Sequence, residues 1–356
     1  MESFYKIAGI SRQGYHQQMC KQRHKALLYF RLRELVHELR EDHPCIGARK
    51  LFTILKLKGE IGINKFERFL SEEGLGIKTK RRAQKTTNSS HSLHKYKNLL
   101  HGFEVTNINQ VWASDITYFM IGENVYYIIF IQDVYSRRIL GYSVSDNMLH
   151  QNNVKVLEDS IALRKGAGLS NLIHHSDKGS QYCSTNYINL LHENNIAISM
   201  AGNSMENPYV ERLNGIIKNE YLYPRKRAVD LKSLKKELDV VVKLYNEQRP
   251  HLKLGNLSPV EFEREIATKK EPEKLELFNF EKHQEKRFFE ALVKRMNIEK
   301  LPALNNLAGN IHSHQSSYSL ESCSSAELSS ASLDDANIIN ENEMNLKSYK
   351  QQVRSI

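Results

Sequence analysis

Cysteine is scarce in this chain of 356 residues: Cys20, Cys45, Cys183 and Cys323 are its only thiols, and no CxxC pair occurs among them. That excludes a disulfide-stapled secreted scaffold and a cysteine-built zinc module, and it suits unpaired thiols in a reducing cytoplasm. His91 and His94 form an HxxH with no cysteine pair beside it, and read as loop histidines. Long apolar runs are missing as well. The longest, Val125 to Ile131, falls far short of the roughly 18–20 residues that a membrane-spanning helix needs. The opening Met1-Glu2-Ser3-Phe4-Tyr5-Lys6 lacks the basic-then-apolar pattern of a secretory signal. Acid is in deficit: 51 Lys and Arg stand against 41 Asp and Glu, a net charge of +10. The first hundred residues carry 21 Lys/Arg against 9 Asp/Glu, a net of +12, so all of the excess sits there and points to a polyanionic partner.

What is present divides by pattern, and the length fits about two domains. Lys25 to Leu39 carries Leu27, Leu28, Phe30, Leu32, Leu35, Val36 and Leu39 at spacings of three and four, an amphipathic helix with a cationic outer face. Two short helical patterns follow, Ala48 to Leu57 and Asn64 to Glu73, with Gly59 and Gly62 between them. A helix-turn-helix and a plain bundle with a solvated basic surface both fit this pair. The cluster Lys78, Lys80, Arg81, Arg82 and Lys85 opens a polar stretch to Leu100, either a linker lying along a phosphate backbone or a solvated charge run.

From Val111 the pattern becomes strands and helices. Strands are expected over Trp112 to Phe119, Val125 to Asp133 and Arg138 to Val144. A helix (Gln151 to Arg164), a strand (Leu172 to His175), a helix (Thr185 to Asn194), a strand (Ile196 to Met200) and a helix from Pro208 come next. Three strands in succession before the alternation fit a mixed sheet that begins as a meander and continues by crossovers. Leu231 to Gln248 reads as a long amphipathic helix ended by Pro250. Beyond Leu304 the chain turns to Ser, Asn, Glu and Asp, and disorder is expected there.

Three acids sit where such elements end. Asp115 lies inside an apolar strand, where a bound cation would offset the cost of its charge. Asp177 follows the fourth strand, at the kind of strand end where sites form in open sheets, and a turn aspartate is the alternative. Glu211 falls in the first turns of the helix that Asn207 and Pro208 begin, with Lys218 two turns on along the same face. Two aspartates and a glutamate make a hard oxygen site suited to Mg²⁺ or Mn²⁺, and a pair of such ions supports in-line phosphodiester cleavage and transfer. Asp133 is a rival, read instead as the end of a strand entering a turn.

These stretches resemble a known family. Trp112-Ala113-Ser114-Asp115-Ile116-Thr117-Tyr118, Asp133 through Tyr142, and His175-Ser176-Asp177-Lys178-Gly179-Ser180-Gln181-Tyr182 are similar to the catalytic core of DDE transposases and retroviral-type integrases. Asn207-Pro208-Tyr209-Val210-Glu211-Arg212-Leu213-Asn214-Gly215, Tyr245 through His251, Leu254-Gly255 and Ser258-Pro259 resemble the insertion-sequence branch named after its third-numbered element, whose core is often a second-reading-frame product. The resemblance implies an α/β, ribonuclease H-like core, a mixed five-stranded sheet flanked by helices. It implies Asp115, Asp177 and Glu211 as catalytic residues and ligands of two Mg²⁺ or Mn²⁺ ions, and Lys218 as a contact to the DNA end. It further implies cleavage by water followed by attack of the freed 3′-hydroxyl on target DNA, with no covalent protein intermediate.

The domain plan expected is 1–75, a basic helical DNA-binding region; 76–105, a basic linker; 106–265, the catalytic core; 266–303, a helical extension; and 304–356, a disordered tail. DNA contacts are expected from Lys218, Arg212, Lys78, Lys80, Arg81, Arg82, Arg49 and Lys50. The partners implied are element-end and target DNA, further copies of the chain on that DNA, and an upstream-frame DNA-binding protein, with no membrane and a cytoplasmic, nucleoid-associated location. Departures exist: 33 residues separate Asp177 from Glu211, two fewer than this branch usually has, a difference that a shortened loop at Gly202 to Glu206 would absorb. The tail lies outside the family pattern, and a chain starting at Met1 would lack an upstream-frame end-recognition domain. A nuclease that cuts without joining and a catalytically dead DNA-binding regulator are the competing readings.

Overall fold

The computed structural model describes residues 5, 9–77, 92–166, 168–268 and 275–277. The expectations for Lys78, Lys80, Arg81, Arg82, His91, Cys323 and the 304–356 tail therefore fall outside the described residues. Three helices come first: α1 (Arg12–Asp42), α2 (Ala48–Ile54) and α3 (Ile63–Glu72). Helix α1 starts well before the Lys25 that the apolar spacing indicated. Ser11 caps it by accepting from the Gly14 N–H at 3.0 Å. Its first half buries no apolar stripe, so periodicity had nothing to register there. Only Leu32, Val36 and Leu39 are buried, while Leu27 and Phe30 remain 71% and 60% exposed. Phe66 and Phe69 of α3 complete the small core, with Tyr29 edge-on to Phe69. The α2–α3 connection, residues 55–62, is longer than the roughly three to four residues of a tight helix-turn-helix.

The sheet follows the expected order of elements. After the short strand β1 (Glu104–Val105) come β2 (Val111–Ile121), β3 (Asn124–Asp133) and β4 (Ile139–Ser145), then α4 (His150–Leu163), β5 (Ile173–Ser176), α5 (Thr185–Glu193), β6 (Ala197–Met200) and α6 (Pro208–Ile216). A π-helical stretch, Ile217–Leu222, prolongs α6, and α7 (Leu231–Glu247) and α8 (Pro259–Ile266) complete the core. The five-stranded sheet runs β4-β3-β2-β5-β6, antiparallel across the meander and parallel from β2 to β6. This is a mixed five-stranded sheet flanked by helices, as the resemblance implies.

The two-residue period of β2 divides its side chains between two apolar layers. Val111, Ala113 and Phe119 pack with Val210 and Leu213 of α6 and with α7. Trp112 faces the opposite layer, with Leu157 of α4 and Tyr187 and Leu191 of α5. Asp115 and Thr117 share the parity of the first set, so β2 points them toward α6.

Two expectations change in detail. Within the anticipated helical extension 266–303, Leu275–Glu276 is a strand, paired antiparallel with β1. The second half of the anticipated linker covers the β6 edge: Met200 N–H donates to Lys97 O at 3.3 Å and Leu99 N–H to Ser199 Oγ at 2.9 Å. Asp133 is the turn residue it was read to be, fully buried and accepting from the N–H groups of Asn109, Tyr135 and Ser136. Cys20, Cys45 and Cys183 are free thiols.

A buried ion cluster ties α8 to the meander. Glu263 accepts from Arg138 Nη1 and Ser136 Oγ, both at 2.7 Å, and pairs with Arg164. Burial would raise its carboxyl pKa, but Arg164, Ser136 and Arg138 outweigh that and hold it below the usual range. Replacing Glu263 by Leu strands the buried Arg164 guanidinium and frees the partly exposed Arg138, so thermal or urea unfolding of Glu263→Leu should show a loss of about 3 kcal/mol. A loss under about 1 kcal/mol would mean that the cluster is solvated.

Candidate active site

Strands β2 and β5 are parallel neighbours with Ala113 opposite His175. Extending that register by two residues sets Asp115 beside Asp177, just past the end of β5. Neighbouring parallel strands lie about 4.8 Å apart, and the charge of Asp177 is felt at the Asp115 carboxyl. Asp177 is steadied by the turn that follows, its Oδ1 accepting from the Gly179 N–H at 2.9 Å. A Cβ on Gly179 would stand 2.9 Å from that same oxygen, which is why a glycine serves there.

Glu211 comes from the other side. Pro208 opens α6, Glu211 lies in its first turn, and the side chain is exposed. The helix is laid against β2 by side chains: Asn207 Nδ2 donates to Ser114 O at 3.0 Å and Asn214 Nδ2 to Asp115 Oδ2 at 2.7 Å. Lys218, in the π stretch, reaches Thr117 Oγ1 at 2.7 Å, with its ammonium 5.5 Å from the centre of the Tyr118 ring. The loop Gly202 to Glu206 precedes α6. Glu206 folds back to accept from Gly202 N–H and Asn203 Nδ2, both at 2.8 Å.

The electrostatics agree with the geometry. Burial, then the neighbouring Asp177 charge and more weakly Glu211, lift the Asp115 carboxyl to about 7, against opposing pulls from the Ile116 backbone N–H and, more weakly, Lys218. Burial lowers the Lys218 ammonium, and Asp115 opposes that shift. The three acids thus share one field. Among the described residues no three Asp, Glu, His or Cys side chains are gathered into a ready-made metal cage. The donor set nonetheless fits a hard divalent cation: all its ligands are carboxylate oxygens, and the strained ionisation of Asp115 is what such a charge relieves.

The sign of the proton linkage is definite. The folded-state pKa of Asp115 lies above its unfolded value near 3.8, so its stabilising contribution is full below pH 4 and is lost as pH rises through about 7. In chelator, wild type should lose about 2 kcal/mol between pH 5 and pH 8, discounted because the residue keeps some exposure, and Asp115→Asn should not. Parallel melting curves across that range would sink the assignment.

The other expected DNA contacts are distributed differently. Arg212 is exposed beside Glu211. Arg49 is exposed, with its Nε 3.4 Å from Glu67. Lys50 turns inward to Glu220 at 3.2 Å, and Glu220 also binds Arg249 through two 2.8 Å bonds. Lys50 is thus engaged in docking α2 onto the π stretch. Sequence reading missed Asn207, Asn214 and Thr117. Their signal was available only in part: the asparagines stand four before and three after Glu211, on its helical face.

The integrase core domain family matches residues 106–203, and a second integrase core domain family matches 193–259. A Shigella sonnei insertion element IS600 protein of 31 kDa is 34% identical over 268 residues, covering 72% of this chain and 96% of that protein. The chain belongs to the insertion-sequence transposases. The transposase InsF of insertion sequence IS3A from Escherichia coli K12 is 30% identical over 222 residues, 61% of this chain and 76% of InsF. Among solved structures, the catalytic core domain of HTLV-2 integrase aligns at 18% identity and a TM-score of 0.35, over 47% of this chain and 99% of that one. This transposase is a polynucleotidyl transferase of the DDE type, acting in DNA transposition. Among its described residues no helix is long and apolar enough to cross a membrane.

Proposed function

We propose that Asp115, Asp177 and Glu211 are the catalytic acids of this transposase and hold two divalent cations, Mg²⁺ or Mn²⁺, between them. The observation that supports this reading is the raised Asp115 carboxyl, with Asp177 just past the end of the strand that pairs beside β2 and Glu211 on a helix pinned to β2. The chemistry supplied by such ions when bound is Lewis-acid activation of a water or 3′-hydroxyl and charge relief at the leaving oxygen. The chain's own residues do the rest. Asp115 and Asp177 fix the donors from a rigid sheet, and Glu211 closes the site from α6. Lys218, held by Thr117, presents its ammonium to a phosphate of the DNA end, and Arg212 on the exposed face of α6 contacts the backbone.

The basic helical region 1–75 is assigned to DNA binding, with Arg49 and the stretch containing Lys78, Lys80, Arg81 and Arg82 contributing phosphate contacts. Lys50 is reassigned from DNA to docking, because Glu220 already holds it. The active form is a multimer on paired DNA ends at the nucleoid, assisted by an upstream-frame DNA-binding protein. The test is an element-end duplex incubated with plasmid target and Mg²⁺. Joined products support the assignment, cleavage without joining favours the nuclease reading, and binding alone favours the regulator.

A further inference from the structure

We infer that Asn207 and Asn214 are positioning residues that hold the Glu211 helix against the Asp115 strand, so that both carboxylates reach one divalent cation; the inference rests on the site reading above. The two asparagines are seven apart, two α-helical turns, and Glu211 lies between them on the same face. Each sends its amide across to β2, Asn207 to the Ser114 carbonyl and Asn214 to the Asp115 carboxylate. Two hydrogen bonds on adjacent residues of one strand set both the distance and the axial register of α6.

Three observations separate this role from capping or packing. Asn207 occupies the N-cap position of α6, yet its side chain makes no capping hydrogen bond, and its amide is spent on the strand instead. Both side chains are nearly closed to solvent, at 6% and 5% exposure, and in both the Oδ1 atom is buried without a protein partner. A buried, unsatisfied carbonyl oxygen is costly, so as filling material an aliphatic side chain of the same size would serve better. What an asparagine provides and a leucine does not is the directed N–H donor. On Asp115 that donor acts on Oδ2 and fixes the carboxylate plane, the usual job of an outer partner of a metal-binding oxygen.

The experiment uses the full chain. Mg²⁺ binding is measured by calorimetry, Mg²⁺-dependent strand transfer by the joining assay, and melting temperature in EDTA reports the fold. Asn214→Leu should weaken calorimetric Mg²⁺ binding about tenfold and raise the Mg²⁺ concentration for half-maximal joining by a similar factor, with duplex DNA affinity and the EDTA melting temperature near wild type. Wild-type Mg²⁺ affinity, or a lowered melting temperature with unchanged Mg²⁺ affinity, overturns the role. Should Asn214→Leu not fold, Asn214→Ala is judged by the same two constants. Asn207→Asp keeps the size of the side chain but cannot donate to Ser114 O. Weakened Mg²⁺ binding supports the clamp, and wild-type binding overturns the role of Asn207. Asp115→Asn separates the two levels: if it still binds Mg²⁺ and joins DNA, the site reading itself has failed. If it is inert while Asn214→Leu behaves as wild type, only the positioning role has failed.

Discussion

Asp115→Asn should reduce strand transfer by about a thousandfold or more while changing affinity for the element-end duplex by less than about twofold. The asparagine is isosteric and can still meet the Asn214 amide through its own carbonyl oxygen, so the fold is kept and one charged donor is lost. Metal ions contribute several kcal/mol of transition-state charge stabilisation, and each 1.4 kcal/mol is a factor of ten in rate. DNA affinity comes mainly from Lys and Arg on phosphates and is spared. Glu211→Gln should behave alike, and since Glu211 is exposed it should leave the melting temperature untouched. Gel separation of joined from unjoined products, beside a binding isotherm, reads both quantities. Joining at wild-type rate by either variant removes that acid from the site.

Gly141→Val should damage the fold severely. Gly141 sits on β4 where α4 crosses, and a Cβ there would lie 2.5 Å from Val156 O and closer still to Ser160 Oγ. The carbonyl belongs to a helix turn whose Ser160 hydroxyl already bonds to it at 2.7 Å, so it cannot step aside without moving α4. Forced separation of helix and sheet opens the layer built on Trp112, Val156 and Leu157. Overpacking of this kind costs about 3 kcal/mol or more, or roughly a 10 °C fall in melting temperature for a domain of this size. A scan by circular dichroism measures it. A fall below about 2 °C would mean that α4 rides on the sheet more loosely than the contacts indicate.

Much of the core was legible because its elements obey simple periods. The unbroken apolar run of β3 marked a strand covered on both faces, and the turn after Asp133 marked a meander. Pro208 after Asn207 placed the start of α6 to the residue. The first half of α1 was illegible because it buries nothing, and the strand Leu275–Glu276 because two residues make no period. The partner of Lys50 was illegible for a different reason. Composition says that a lysine is cationic but not whether an acid from 170 positions away will meet it, and Glu220 does.

The sequence by itself determined the order of strands and helices and the concentration of positive charge in the first hundred residues, and it singled out the three acids proposed as catalytic, because each of these is written in local spacing, composition or motif. Tertiary structure alone decided that β2 and β5 pair in a register bringing Asp115 beside Asp177, and that two asparagine amides fasten α6 above them. It alone decided that the Asp115 carboxyl is pushed up to about 7. Those are properties of long-range contacts, since a pKa depends on which charges and how little water surround a group, and neither is set by its neighbours along the chain.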